Sequence, residues 1–323
     1  MMAVSQKQIA EKLGVSIALV SRVLSGRAKE IGIAPDTIDR VMQAAEEMGY
    51  VPSAAALTLK GKPTRTIGVA VYDFNDPFFG SVIKQIQIQA HEHNYSLVLA
   101  GFLSRIPDEQ DLQALYKHAL DGLIVLGSDT EATWLDGFHH LPVARIGHGG
   151  EAEDSVRISI DEEDASRMLV EHLVARGATS LVCISSLLPA HRLRQDAVEK
   201  AAATSGLHFA SVVSKEKEAF GTGVCSTREI LKEMPEVDAL VCSTDQIAMG
   251  ALHALADAGI AVPGRIAVTG FDDIPAAAQF IPPLTTIQQP LVEMVNQAFH
   301  AIVEPPRPQR VLVRGKFIAR KTA

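Results

Sequence analysis

Few residues of this chain are spaced for covalent chemistry. HEHNY (91–95) lacks the HExxH spacing that sets two imidazoles one helical turn apart for zinc. GHGGE (147–151) is not a GxGxxG opening a helix, and Gly61-Lys62 lacks the glycine five residues earlier that a phosphate-cradling loop needs. No GxSxG nucleophile elbow occurs. Cys183, Cys225 and Cys242 are an odd set without a CxxC pair, so neither a disulfide framework nor a zinc site is expected, only small buried residues of a reduced protein. No catalytic residue, metal or cofactor is assigned. The spacing points to binding instead. Between Ser16 and Ser25, Val20, Val23 and Leu24 fall on one helical face, which leaves Ile17, Ala18, Ser21, Arg22 and Ser25 on the other. An arginine there can reach guanine with two hydrogen bonds or pair with a phosphate, although an arginine on an exposed helix face is usually only solvated.

Those residues need a scaffold, and the flanking sequence supplies one. Ser5 and Gln8 fit a capping box ahead of Ile9, Ala10 and Leu13, Gly14 stops that helix, and Ser16 caps the next. Two short helices cannot bury their apolar faces alone. Pro35 is a helix start, and Ile38, Val41, Met42, Ala45 and Met48 are spaced to cover them. Periodicity alone fits a three-helix cap or oligomerisation unit equally well. The relative spacing of Ala10, Gly14, Val20 and Val23 is that of a helix-turn-helix, in which the helices cross closely and the second offers its N-terminal end to a major groove.

Length and charge agree with a divided molecule. At 323 residues, with 47% apolar and 21% charged residues, the chain has material for about two domains and is too apolar to be disordered. Its net charge of −8 argues against a protein that coats nucleic acid along its whole surface. Residues 1–62 hold eight Lys and Arg against six Asp and Glu, a head of +2 that leaves −10 for the rest. A basic head on an acidic body is expected where only the head meets phosphate. The N-terminus lacks a signal-peptide apolar core and no run of 18 apolar residues occurs, so a soluble cytoplasmic protein without membrane contact is expected.

Beyond Thr64, apolar runs at 66–72, 95–100, 122–127, 142–147, 180–185, 238–243 and 265–270 alternate with amphipathic stretches. This is βαβ order, hence an α/β fold with parallel sheets, and its length suits two similar halves with a cleft at the strand ends. In DFNDPFF (73–79), Asp73 and Asn75 could accept from and donate to hydroxyls. Asp272 in TGFDD (269–273) ends a strand, where it serves either a ligand or a helix cap. Thr244 and Asp245 follow another strand, with Asp245 equally a cap or a contact, and Phe220 offers a further wall.

GVSIALVSRVLSG (14–26) and GYVPSAAALTLKG (49–61) resemble the headpiece and hinge of LacI-type, lactose-repressor-like regulators, whose pattern runs close to GVSxxTVSRVLNG and YxPNxxAxxL. Leu19 replaces that pattern's threonine and Ser53 its asparagine. RAKEIGIAPDT (27–37) is about three residues longer than the usual turn, and Ala34 stands for the N-cap serine. IPPLTTIQQP (281–290) and STDQIAMGALHAL (243–255) match the family's effector domain, which shares the two-lobed fold of periplasmic sugar-binding proteins. A transport-type binding protein is disfavoured by the absent signal peptide and the added head.

The resemblance implies a sequence-specific transcriptional regulator, foremost a repressor, in three parts. These are a helix-turn-helix headpiece (1–52), a hinge helix and linker (53–63), and a two-lobed effector-binding and dimerisation domain (64–323), with an N-lobe of about 64–160 and 289–323 and a C-lobe of about 161–288. DNA contacts would come from Ser5, Ser16, Ile17, Ala18, Leu19, Ser21, Arg22 and Ser25, and from Ser53, Ala56 and Leu59 of a hinge helix too short to be stable alone. That hinge would pair in the minor groove with Leu59 as the wedge. The implied partners are a near-palindromic operator duplex, a second copy of the chain, and a small molecule, carbohydrate first, with sugar, sugar acid and purine left open. Phe78 and Phe79 would stack on it and Arg194, in HRLRQDA (191–197), would bind it. Gly147 stands where the family often has an acceptor aspartate, which makes the adjacent His148 a candidate replacement. RVLVRGKFIARKTA (310–323) shows no heptad tail, so a dimer without a zipper-made tetramer is expected.

Overall fold

A computed structural model describes residues 4–28, 31–50, 62–127, 132–148, 155–216, 218–304 and 309–323. The hinge candidates Ser53, Ala56 and Leu59 lie outside the described residues. The chain divides into two compact units, Met1–Thr64 and Arg65–Ala323.

In the first unit, α1 (Gln6–Leu13) starts at a complete Ser5/Gln8 capping box and ends at Gly14, whose φ of 66° is the left-handed conformation glycine adopts without strain. α2 (Ile17–Leu24) begins where Ser16 Oγ accepts from the Leu19 N–H. α3 (Pro35–Glu47) has no side-chain cap at Ala34, and Pro35 lightens that loss because it has no N–H to satisfy. Ile9, Ala10, Val20, Val23, Val41, Ala44 and Ala45 form the shared core. Met42, expected in that core, is 51% exposed. The buried stripe of α3 runs through Val41, Ala44 and Ala45, and Met42 falls about 100° around the helix from it.

The second unit opens with β1 (Thr66–Val71), α4 (Pro77–Glu92), β2 (Ser96–Gly101), α5 (Glu109–Lys117), β3 (Gly122–Leu126), β4 (Val143–Ile146) and β5 (Ser155–Ile160). The chain then builds a second lobe from α6 (Glu162–Ala175), β6 (Ser180–Ser186), α7 (Pro189–Thr204), β7 (His208–Ser214), α8 (Ala219–Glu233), β8 (Ala239–Cys242), α9 (Asp245–Asp257), β9 (Ala267–Thr269), α10 (Pro275–Gln279) and β10 (Thr286–Gln288). It returns to the first lobe through α11 (Leu291–Val303) and β11 (Arg310–Val313), and ends in β12 (Lys316–Ile318). The first sheet has the parallel order β11-β5-β4-β3-β1-β2 and the second β7-β6-β8-β9. Central strands β3 and β8 are buried throughout, as continuous apolar runs covered on both faces must be.

In each sheet the order reverses beside its first strand, between β1 and β3 and between β6 and β8. Such reversals leave a crevice at the strand C-terminal ends. Three segments join the lobes, at 160–162, 288–291 and 313–316. The first and third are bound together, since the Asp161 N–H donates to the Val313 carbonyl at 2.8 Å.

One expected boundary needs correction. The stretch 289–323 does not stay in the first lobe: β12 pairs antiparallel with β10, and Thr322 Oγ1 accepts from the Thr285 N–H at 2.9 Å. Among the described residues no helix is long and apolar enough to cross a membrane.

Candidate ligand cleft and nucleic-acid interface

The outer face of α2 is open. Ile17 is 49% exposed, Ala18 and Arg22 are exposed, and Ser21 is half-buried. Ser5 and Ser16 are exposed at the N-terminal ends of α1 and α2, where free N–H groups suit phosphate, and both side chains already serve as caps. Ser25 turns its hydroxyl to the Arg22 carbonyl at 3.0 Å, which withdraws that donor from an outside partner. Leu19 corrects the sequence reading in part: it is half-buried and packs against the headpiece core.

On the first lobe, the loop after β1 approaches the cleft. Asp73 is spoken for internally, since Oδ1 accepts from the Asn75 N–H at 2.8 Å and Oδ2 from the Ser104 hydroxyl. Asn75 is exposed and contributes that N–H. Asp76 caps α4 by accepting from the Phe78 N–H at 2.9 Å. Burial pushes its carboxyl above the usual range, with Asp73 adding to the effect and Arg194 opposing it. Phe78 packs against apolar residues of both lobes. Phe79 is only 8% exposed and lies in the first lobe's core, where a side chain at Gly127 would meet it, so its expected ligand contact is corrected to packing. Gly127 and Gly147 both have φ of 117° and lie side by side at the ends of β3 and β4. At Gly127 even a Cβ would come within 2.6 Å of the Tyr72 Cβ, so the floor there is bare backbone.

The second lobe contributes a buried charge cluster. Arg194 is 5% exposed; Nε donates to Glu162 Oε2 and Nη2 to Glu162 Oε1, both at 2.9 Å, and Nη1 donates to the Ser243 carbonyl. Its guanidinium lies 3.4 Å from the ring centre of Phe271 and its Nη1 3.8 Å from Asp272 Oδ1. His148 Nε2 meets Glu162 Oε1 at 3.2 Å, so the histidine proposed as a ligand acceptor is joined to this cluster. Burial alone would raise the Glu162 carboxyl, but Arg194 and the bond from His148 outweigh it and hold the group below its ordinary range.

Asp272 has the opposite fate. Burial drives its carboxyl well above the ordinary range, helped by Asp245 and Asp76, because Arg194 and the Gln289 amide at 2.7 Å compensate too little. Its φ of 111° and the 53° of Asp273 put two consecutive non-glycine residues in the left-handed region. Strain of this kind persists where surrounding bonds over-determine it, here through Gln289, Arg320 and the Asp272 N–H to the Ile287 carbonyl. Burial takes nearby His191 down to about 3, so that its ring, bonded to Ser186 Oγ at 2.7 Å, is neutral.

Two further expectations are corrected. Asp245 is fully buried and does not face the cleft: it accepts from Thr286 Oγ1 at 2.5 Å and from the Ile274 N–H at 2.8 Å, while Thr244 Oγ1 caps α9. Phe220 rests on His253, nine residues and roughly 13 Å along α9 from Thr244, so it lies away from the strand ends. Glu162, Asp76, Gln289 and Phe271 were not singled out in the sequence. Asp76-Pro77 is a legible helix start, but nothing local marks Glu162 as the partner of an arginine 32 positions on.

A helix-turn-helix reader joined to a two-lobed binding unit is the architecture of a ligand-responsive transcription regulator. Residues 6–53 match the bacterial regulatory proteins of the lacI family, and residues 170–323 match the periplasmic binding protein-like domain. The transcriptional regulator GalS of Salmonella typhimurium is 31% identical over 305 residues, covering 90% of this chain and 87% of GalS. The transcriptional repressor PurR of Vibrio atlanticus is 29% identical over 309 residues, covering 92% and 90%. The lac repressor dimer bound to operator and the anti-inducer ONPF superposes with a TM-score of 0.84 at 25% identity, over 99% of each chain. The transcriptional regulator CelR in complex with cellobiose shares the fold, with a TM-score of 0.71 at 24% identity over 99% and 100%. The chain belongs to the lacI family of DNA-binding transcription regulators.

Proposed function

We propose that this regulator represses transcription as a homodimer on a near-palindromic operator and that a small molecule in the interlobe cleft sets its operator affinity. The observation that carries the proposal is the open face of α2, capped by Ser16 and carrying Arg22, in one chain with a cleft where Arg194 and Asp272 converge. One short recognition helix holds DNA weakly, and two-fold pairing of heads on a palindrome supplies the missing affinity. Arg22, Ile17, Ala18 and Ser21 would meet the major groove. Asp272, Asp76, His148, Arg194 and the Phe78 ring would meet the effector, which is carbohydrate-like in the first instance. Effector binding favours one lobe arrangement over another, and operator affinity changes by that differential. GalS, PurR and the operator-bound lac repressor support the reading by similarity.

The test is a footprint of the purified full-length protein on genomic fragments, with and without sugars, sugar acids and nucleobases. A protected near-palindrome whose protection responds to one compound is the expected result. Uniform, sequence-independent retardation under all conditions would overturn the reading.

A further inference from the structure

The guanidinium of Arg194 would serve as a receptor for a ligand carboxylate or phosphate if it were free. It is not free. Glu162 spans its Nε–Nη2 edge with two bonds of 2.9 Å, Ser243 takes a third donor, Asp272 stands 3.8 Å from Nη1, and Phe271 covers one face. The charge on it is already matched. Glu162 is the buried carboxylate paired with this one cation, burial favours the protonated forms of Asp272 and Asp76, and Arg320 is held at 2.6 Å by Asp273. Arg192, the other arginine of that α7 turn, donates to Gln195. Any anion entering here adds a further negative charge to a guanidinium with a buried counter-ion, and like charges packed without water are costly.

We propose that Glu162 is a charge filter: its bidentate hold on Arg194 reserves the cleft for a ligand without negative charge, rich in hydroxyl or N–H donors, and rejects the anionic analogue. The proposal rests on the reading of the cleft as the effector site. It narrows the open choice to neutral sugars and purine-like molecules and removes sugar acids and phosphosugars. The groups left for recognition fit a donor-rich ligand, since Asp76 and Asp272 each carry a second carboxyl oxygen beside the one that accepts from the Phe78 N–H or the Gln289 amide.

The full-length protein would be titrated by calorimetry and thermal shift with charge-matched compounds: glucose, gluconate and glucose 6-phosphate; galactose and galacturonate; adenosine and AMP. The same series would be run on Glu162→Gln and Glu162→Asp, with sulfate as a separate anion probe. In wild type the neutral member of any bound pair should be tighter by about tenfold or more. Glu162→Gln should narrow that preference about tenfold and gain a sulfate-dependent rise in melting temperature, while Glu162→Asp keeps the wild-type pattern. Wild type binding the anion as tightly as its neutral partner overturns the filter whether or not the variants fold, and so does a Glu162→Gln protein with unchanged preference. Binding of no compound in the panel counts against the effector reading itself, while the sulfate comparison still decides the role of Glu162.

Discussion

Asp245 and Thr286 are 41 positions apart in the chain and 2.5 Å apart in the fold, hydroxyl donating to carboxyl, at the root of α9. The other oxygen accepts from Ile274, so one buried acid ties α9 to β10 and to the start of α10. Burial pushes this carboxyl up to about 7. The folded state therefore holds a proton that the unfolded chain gives up near its ordinary value of 3.8. Stability from this group is complete below that lower value and is lost as pH rises toward 7. Asp245→Asn imitates the protonated acid, with its carbonyl accepting from Ile274 and its amide donating to Thr286. Melting followed from pH 4 to 8 should show a decline in wild type that is shallower in the variant; identical slopes would refute the assignment.

Replacing Arg194 by alanine should do more than abolish ligand response. It strands Glu162 as a buried carboxylate without its cation, a loss of about 3–5 kcal/mol. Chemical denaturation of residues 64–323 should therefore show a lower midpoint, and an unchanged midpoint would mean that the pair is looser than its two 2.9 Å bonds indicate.

Gly223 of α8 faces α9 so closely that a Cβ would come within 2.0 Å of the Ile247 carbonyl and 2.8 Å of the Ala251 nitrogen. Gly223→Ala should destabilise the second lobe by about 3 kcal/mol or prevent its folding, because both obstacles are backbone. Soluble yield and melting temperature are the readouts. Gly177→Ala makes a useful contrast: no atom lies within 4 Å, and only its φ of 88° opposes the change.

In the headpiece, Ile9 is completely buried at the meeting of its helices. Ile9→Ala should cost about 2–5 kcal/mol, most of what so small a core supplies. DNA binding should fail at a temperature where the two-lobed unit keeps its melting transition. A headpiece that still binds DNA normally would show the core to be more tolerant than its packing implies.

Arg22→Ala should weaken specific DNA binding by about 1–3 kcal/mol and leave ligand titration unaltered. Competition with non-specific DNA separates the alternatives. Loss of preference marks a base contact, uniform weakening marks a phosphate contact, and no change removes Arg22 from the interface.

The headpiece was legible because its signals are local. Ser5, Gly14, Ser16 and Pro35 each mark a helix end through bonds made within a few residues, and the apolar stripe followed. Met42 was misplaced because a 3.6-residue period admits two adjacent stripes and only the facing helices choose between them. In the second unit the buried central strands were legible as apolar runs, whereas β7, an edge strand half open to solvent, and the three-residue β10 carry too little pattern. Asp272 was proposed from its place at a strand end, whereas Arg194 and His148 were proposed from the family resemblance alone, and the three come together in one cluster. The counter-ion Glu162, and the inward turns of Asp245 and Phe79, depend on contacts between distant segments that no local spacing encodes.

Phe78 packs on both lobes. Prising the lobes apart would wet the side of that half-buried ring that meets the second lobe, at a cost of no more than about 1.5–3 kcal/mol. Its aromatic face therefore acts as a latch with a strength in the range of the about 1–3 kcal/mol by which linked sites are coupled. A ligand that stacked on the ring, as proposed for the effector, would take over one side of that contact, and filling the cleft and setting the angle between the lobes would then be a single event rather than a cause and its effect.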